Sequence, residues 1–235
     1  YVNKKYLEET RLVKKIIKKY SYKPQNLLDM GCGTGEYSKL LSSNNMNVTG
    51  LDKSSYMIEK AKEKFKSNKR LNFVKADLLN YKPKKKFDVI SALFHILSYQ
   101  TKNLQIENFF RNSNQILNKN GIFIFDFWFK TGVENLKQPN KFRKITKNGL
   151  QIIRLTDSAW FKTKNRINDQ HEMFVFKKNK LLKNFKETHH MRYFDLNFIK
   201  KKLIKHKFKF LACLDINSQS FPTKKSWGAL IIAKK

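Results

Sequence analysis

The chain has 235 residues, of which 40% are hydrophobic and 29% charged, with two cysteines, Cys32 and Cys213. That length supports one good hydrophobic core or a core with a small appended lobe, while the apolar runs are too short for a membrane span or a signal peptide, and two distant cysteines make neither a disulfide framework nor a metal site. Together these point to a reducing cytoplasm. Fifty Lys and Arg against eighteen Asp and Glu give a net charge of +32. Such charge admits a polyanionic partner, RNA or a phosphorylated substrate, but the lysines are spread through every segment, which reads as compositional drift with a secondary benefit for binding phosphates.

In chain order, residues 4–20 place Tyr6, Leu7, Leu12, Val13, Ile16, Ile17 and Tyr20 at helical spacing, an amphipathic helix that ends before Pro24. Asn26 to Met30 is a short apolar run with the bounds of a buried parallel strand. Gly31, Cys32, Gly33, Thr34 and Gly35 follow, then a helix over Glu36 to Ser42. A strand, a glycine turn and a helix start form a cradle in which the backbone can approach a ligand closely. Asp29, just ahead of the glycines, would repel a pyrophosphate and suit a cationic ligand such as a sulfonium with a free amino group. The second strand, residues 47–52, ends in Asp52, placed to accept two ribose hydroxyls, with Lys53 next. Ser54 or Ser55 caps a helix to about Phe65, with Met57 in its first turn. A third strand over 71–78 closes on Asp77 and Leu78.

The fourth strand runs from Phe87 to Leu93, and the segment Phe94 to Tyr99, carrying His95, leaves its carboxyl end, where parallel sheets place their chemistry. A helix over 103–117, a turn at Asn118 to Gly121 and a strand to Phe127 complete a doubly wound, mostly parallel α/β sheet. The pattern then changes. Residues 143–193 alternate apolar and polar positions between turn signals, which predicts three or four antiparallel strands inserted as a lobe. A helix over 196–205 and strands over 208–217 and 227–234 close the core. The division is a core of residues 1–142 with 194–235, and a lobe of 143–193 roofing a substrate cleft.

The run Asp29, Gly31, Gly33, Gly35 resembles motif I of the class I S-adenosylmethionine-dependent methyltransferases, and Asp52 matches that family's second acid. The resemblance implies a seven-stranded Rossmann-like sheet that binds S-adenosylmethionine and releases S-adenosylhomocysteine. It also implies cofactor contacts from Asp29, Gly31, Cys32, Gly33, Gly35, Asp52, Lys53, Met57, Asp77, Leu78 and Leu93, with Met57 on the adenine and Asp77 accepting the adenine amino group. Tyr6 would fold over the cofactor mouth or face the core. The loop after the fourth strand lacks the Asn/Asp-Pro-Pro-aromatic tetrad of base N-methylases. The lobe is similar to that of N-methyltransferases of nucleotide-linked amino sugars. The matching pieces are Asp126-Phe127-Trp128-Phe129, Arg154 to Ser158, Glu187 to Phe194 and Ser226-Trp227-Gly228, and with the cofactor motifs the resemblance spans nearly the whole chain from Tyr6 onward. Tyr99 stands where those enzymes carry a histidine, which leaves N- or O-methylation open.

On this reading Tyr99, His95, His189 and Tyr6 are the candidate catalytic residues that take or relay a proton. Arg154 and Arg192 would grip a phosphate or carboxylate, and Trp128 and Phe129 would floor a sugar ring. His189 and His190 point to opposite faces of one strand and form no metal chelate. The expected acceptor is a small molecule, phosphorylated or nucleotide-linked, turned over by a monomer or homodimer away from membranes. An RNA methyltransferase and a non-catalytic cofactor-binding subunit are the alternatives.

Overall fold

The computed structural model describes residues 6–42, 45–137 and 140–235. The predicted opening helix is α1, Tyr6–Tyr20, with residues 4 and 5 outside the described part. Strands β1 (Asn26–Met30), β2 (Asn47–Asp52), β3 (Leu71–Lys75), β4 (Phe87–Ala92) and β5 (Leu117–Phe129) pair in the order β3-β2-β1-β4-β5, all parallel. Helices α2 (Glu36–Leu41), α3 (Ser55–Lys64) and α4 (Asn103–Ile116) make the crossovers. At the far edge β11 (Gly228–Lys234) runs antiparallel to β5 and pairs with β10 (Lys209–Leu214), giving the expected seven-stranded sheet. Both faces are covered, which is why neighbouring positions such as Leu27 and Leu28 in β1 and Val89 and Ile90 in β4 are apolar and buried rather than alternating with polar ones. One face buries Leu28, Met30, Phe109, Phe110, Phe123 and Phe125; the other buries Val13, Ile17, Leu27, Val48, Ile122 and Ile124 against α1.

Two boundaries differ from the sequence reading. β3 stops at Lys75, so Asp77 opens a turn in which its carboxylate accepts the Leu79 amide at 2.9 Å. Residues Asn118 to Gly121 do not form a separate turn but lie within β5, because Leu117 pairs with Phe87 and the Asn120 amide donates to the carbonyl of Lys235. Asn120 takes φ +64°, the local irregularity that the Asn-Gly pair had signalled. A short helix, α5 (Lys130–Leu136), had not been foreseen. Its Gly132 lies so close to Ser226 that an added Cβ would sit 1.7 Å from that residue's carbonyl oxygen.

The inserted segment contains four antiparallel strands, β6 (Lys141–Lys147), β7 (Leu150–Phe161), β8 (Arg166–Lys177) and β9 (Lys180–Phe194). The turns Asn148-Gly149 and Lys178-Asn179 have positive φ at both residues, the backbone that two-residue hairpins require. The lobe is continuous with the core sheet, since β9 pairs in parallel with the end of β5 through Trp128 with Tyr193 and Phe129 with Phe194. α6 (Leu196–Lys205) follows, capped by Asp195. Among the described residues no helix is long and apolar enough to cross a membrane.

Candidate functional site

The glycine turn, the tip of β2 and the segment leaving β4 meet at the carboxyl edge of the sheet. Gly31, Gly33 and Gly35 have φ of +75°, +54° and +80°, values that side-chain-bearing residues resist. Their surroundings differ. A Cβ on Gly31 would lie 2.1 Å from Ile96, and one on Gly35 would lie 2.6 Å from Phe73, so those two serve close packing. A Cβ on Gly33 would meet nothing within 4 Å: this glycine faces open space. Its amide donates to Asp52 Oδ2 at 3.0 Å, and the Ser54 amide donates to Asp52 Oδ1 at 2.9 Å. Each carboxylate oxygen keeps a lone pair for a further donor. A bare glycine beside a positioned carboxylate fits a ribose-bearing ligand lying along the turn.

Asp29 is buried, accepting hydroxyl hydrogen bonds from Ser38 at 2.6 Å and Ser91 at 3.2 Å. Burial pushes its carboxyl up to about 6, a shift opposed by the two hydroxyls. No cation pairs with it among the described residues, and Cys32, also buried, is pushed to a high pKa by desolvation and by Asp29. Met57 and Thr34 line an open groove of about 610 Å³ between the glycine turn and α3, together with Tyr56, Lys60, Glu63 and Lys64. Lys53 is exposed, Leu93 buried, and Leu78 half-buried with its carbonyl accepting from Asn112. Asp77 is exposed.

Phe94 and His95 take consecutive left-handed conformations, φ +62° and +66°. Asp126 on β5, itself buried, holds them there: its Oδ1 accepts the His95 amide at 2.7 Å, and Oδ2 lies 3.1 Å from His95 Nδ1 at an angle short of a full hydrogen bond. Tyr6 packs edge-on against Phe94 with ring centres 5.6 Å apart, which sets the first helix at the rim of this loop. The 3-10 turn over Ile96–Tyr99 then brings the Tyr99 hydroxyl 2.8 Å from His189 Nδ1 on β9. That contact closes the lobe onto the core.

The lobe strands sort their side chains by face. In register, Ser158, Asp169 and His189 form one row; Lys141, Thr156, His171 and Glu187 the next; and Arg143, Arg154, Met173 and Phe185 the third. All lie on the face that meets Tyr99. Glu187 Oε1 is 3.1 Å from His189 Nε2, the His171 and His189 rings are 4.9 Å apart, and Thr156 Oγ1 pairs with His171 Nδ1 at 2.9 Å. Burial, then the neighbouring His189 and Arg154, hold His171 below its usual pKa. Arg143 and Arg154 stand directly opposite each other, an arrangement that is unfavourable for like charges unless an anion joins them. Neither has an ion-pair partner among the described residues, and the Nε of Arg154 is buried without a hydrogen bond.

Three assignments made from sequence are corrected. Trp128 and Phe129 are both 7% exposed, so neither can floor a sugar ring; Trp128 packs with Trp227 and Met191, and Phe129 lies in the core. Arg192 is on the face of β9 opposite His189. Its Nη1 donates to the Thr101 carbonyl and to Asn103, and its guanidinium covers Phe194 and Phe198, so it braces α4 and α6 rather than the cleft. His190, as expected, turns away from His189 and pairs with Asn168. Asp126, His171 and Glu187 were missed as site residues. Glu187 was within reach, since residues two apart on a strand share a face, whereas His171 needed the register.

Residues 27–121 match the family described as methyltransferase domain. A malonyl-[acyl-carrier protein] O-methyltransferase of Ilyobacter polytropus is 31% identical over 118 residues, 49% of this chain and 44% of that protein, so the match spans less than half of that relative. Among solved structures, an S-adenosylmethionine-dependent methyltransferase from Clostridium acetobutylicum has the same fold, with a TM-score of 0.85 at 20% identity over 99% of this chain and 93% of that one. The sugar N-methyltransferase KedS8 from Streptoalloteichus is similar too, with a TM-score of 0.84 at 17% identity over 99% and 88% of the two chains. The lobe is therefore part of a fold that this chain shares with those solved structures.

Proposed function

We propose that the chain is an S-adenosylmethionine-dependent methyltransferase whose acceptor is a small molecule, the amine or hydroxyl of a nucleotide-linked sugar or a related anionic metabolite. When bound, the cofactor supplies an electrophilic sulfonium methyl. Gly33 gives it room, Asp52 accepts its ribose hydroxyls, and buried Asp29 answers its positive charge. Tyr99 and His189 orient the acceptor and receive its proton, while the lobe excludes water.

The observation that carries the acceptor reading is the layering of the lobe face. The Tyr99–His189 contact lies at its core end, and the opposed Arg143 and Arg154 lie four residues farther along β7, about 13 Å at the rise of a strand. Lys141, in the row between, is desolvated enough for its ammonium to be held below the usual range, although part of the side chain reaches solvent. A substrate with its reacting group at one end and a diphosphate or carboxylate at the other fits that spacing. Calorimetric titration with S-adenosylhomocysteine, repeated with a panel of nucleotide-linked amino sugars, tests the proposal. Binding of the product cofactor and of one sugar nucleotide, the latter weakened at least ten-fold by Arg154→Ala, is the expected result. A chain that binds S-adenosylhomocysteine but no member of the panel would sink the acceptor reading, and one that binds no S-adenosylhomocysteine would sink the activity as well.

A further inference from the structure

Resting on the methyltransferase reading, we propose that Glu187 is the positioning residue of a three-member proton relay, Tyr99–His189–Glu187, which drains the acceptor's proton to the rim of the lobe. The Nδ1 of His189 is engaged by the Tyr99 hydroxyl at 2.8 Å, and Nε2 lies 3.1 Å from Glu187 Oε1, close but short of a full hydrogen bond. A carboxylate only accepts, so its charge beside Nε2 favours the neutral ring that carries its hydrogen there and presents a bare Nδ1 to the tyrosine. The Tyr99 hydroxyl then donates to Nδ1, and its oxygen is the atom that can accept a proton. As the acceptor's N–H or O–H bond breaks, its proton moves to the Tyr99 oxygen and the tyrosine's own proton moves to Nδ1. One bond to hydrogen is made and one broken at that oxygen, no electrons change hands, and the lone pair freed on the acceptor is the one that methylation consumes. The imidazolium so formed lies against the Glu187 carboxylate, whose side chain is 54% exposed and passes the proton on to water.

The other charged and titratable groups facing His189 fit this role. Asp169, opposite it on β8, is occupied by the Ser158 hydroxyl at 2.6 Å. His171, also on β8, is held below its usual pKa and fixed on Thr156, so it adds no second positive charge beside an imidazolium. Arg154 on β7 and Lys141 on β6 lie one or two rows farther out. Glu187 is thus the one carboxylate in the described surroundings both touching the ring and uncommitted to a hydroxyl.

The test is nitrogen NMR of the protein labelled at histidine and saturated with S-adenosylhomocysteine, with the cofactor affinity measured in parallel. At pH 6 the fraction of His189 carrying both ring protons is expected to fall at least three-fold in Glu187→Ala and in the isosteric Glu187→Gln. Asp169→Asn should change it by less than two-fold. Tyr99→Phe should move the Nδ1 resonance toward that of an unbonded ring nitrogen. S-adenosylhomocysteine affinity should stay within two-fold in all four. An unchanged protonated fraction in Glu187→Gln, or an effect carried by Asp169→Asn instead, overturns the relay. Failure of the parent chain to bind S-adenosylhomocysteine would instead strike at the methyltransferase reading, because the NMR readout does not depend on turnover.

Discussion

Gly33→Ala separates a glycine that makes room for a ligand from glycines that make room for the protein. The added methyl meets no atom within 4 Å, so the only cost to the fold is the left-handed conformation at φ +54°, about 1 kcal/mol for an L-residue. In a domain of this size that lowers the melting temperature by roughly 2–4 °C. The same methyl occupies the space beside Asp52 where the cofactor would lie, and displacing a ligand by a methyl diameter should weaken S-adenosylhomocysteine at least ten-fold, about 1.4 kcal/mol. Gly132→Ala is the counter-case. Its Cβ would sit 1.7 Å from the Ser226 carbonyl oxygen, a backbone atom that cannot rotate away. Overpacking of this kind costs about 3 kcal/mol, yet the clash is with Ser226, which is none of the residues assigned to the cofactor, and affinity should stay within three-fold. Thermal melts and calorimetric titration of both variants give the four numbers. Parent-like affinity in Gly33→Ala would show that no ligand approaches the turn and would refute the cofactor placement.

Asp52→Ala should abolish measurable cofactor binding and also cost about 1–3 kcal/mol of stability, because the Gly33 and Ser54 amides lose their acceptor; urea unfolding reads the second effect. The Asp29 carboxyl is raised to about 6 from an ordinary 3.8, so the ligand-free fold is favoured below the unfolded value and loses that contribution as pH rises through about 6. A cationic ligand prefers the ionised form. S-adenosylmethionine affinity should therefore fall by up to ten-fold per pH unit below about 6, and Asp29→Asn should flatten the profile in titrations from pH 5 to 8. Glu107 behaves in the opposite sense. Lys202 above all, helped by Lys205 and His206, lowers its carboxyl from 4.5 to about 2. The clamp between α4 and α6 contributes stability at pH above about 4.5 and loses it as pH falls through about 2, and since the group is partly solvated the effect should be near 1 kcal/mol. Glu107→Gln should remove that acid limb in unfolding measured from pH 7 to 2, and a parent-like limb would show that the pairs are fully screened.

The sequence by itself determined what is local. The Gly31, Gly33, Gly35 spacing, the acid at the tip of β2, the serine cap at Ser54 or Ser55 and the period-two alternation of the lobe all act through neighbours a few residues away, so strand, turn and helix were readable with bounds close to those observed. Asp77 shows the limit even there: the acid was visible, but the strand stops two residues short of it and its carboxylate bonds its own turn. Tertiary structure decided what depends on facing and register. Trp128 and Arg192 carry chemistry suited to a cleft, yet one is buried under the joint between lobe and core and the other braces the far side, because the pairing of β9 with β5 fixes which face of each strand is covered. Tyr99 and His189 are separated by 90 residues and meet only through that same pairing. His171 and the opposed Arg143 and Arg154 gain their neighbours from cross-strand register, and a shift of one residue would turn each of them to the other side.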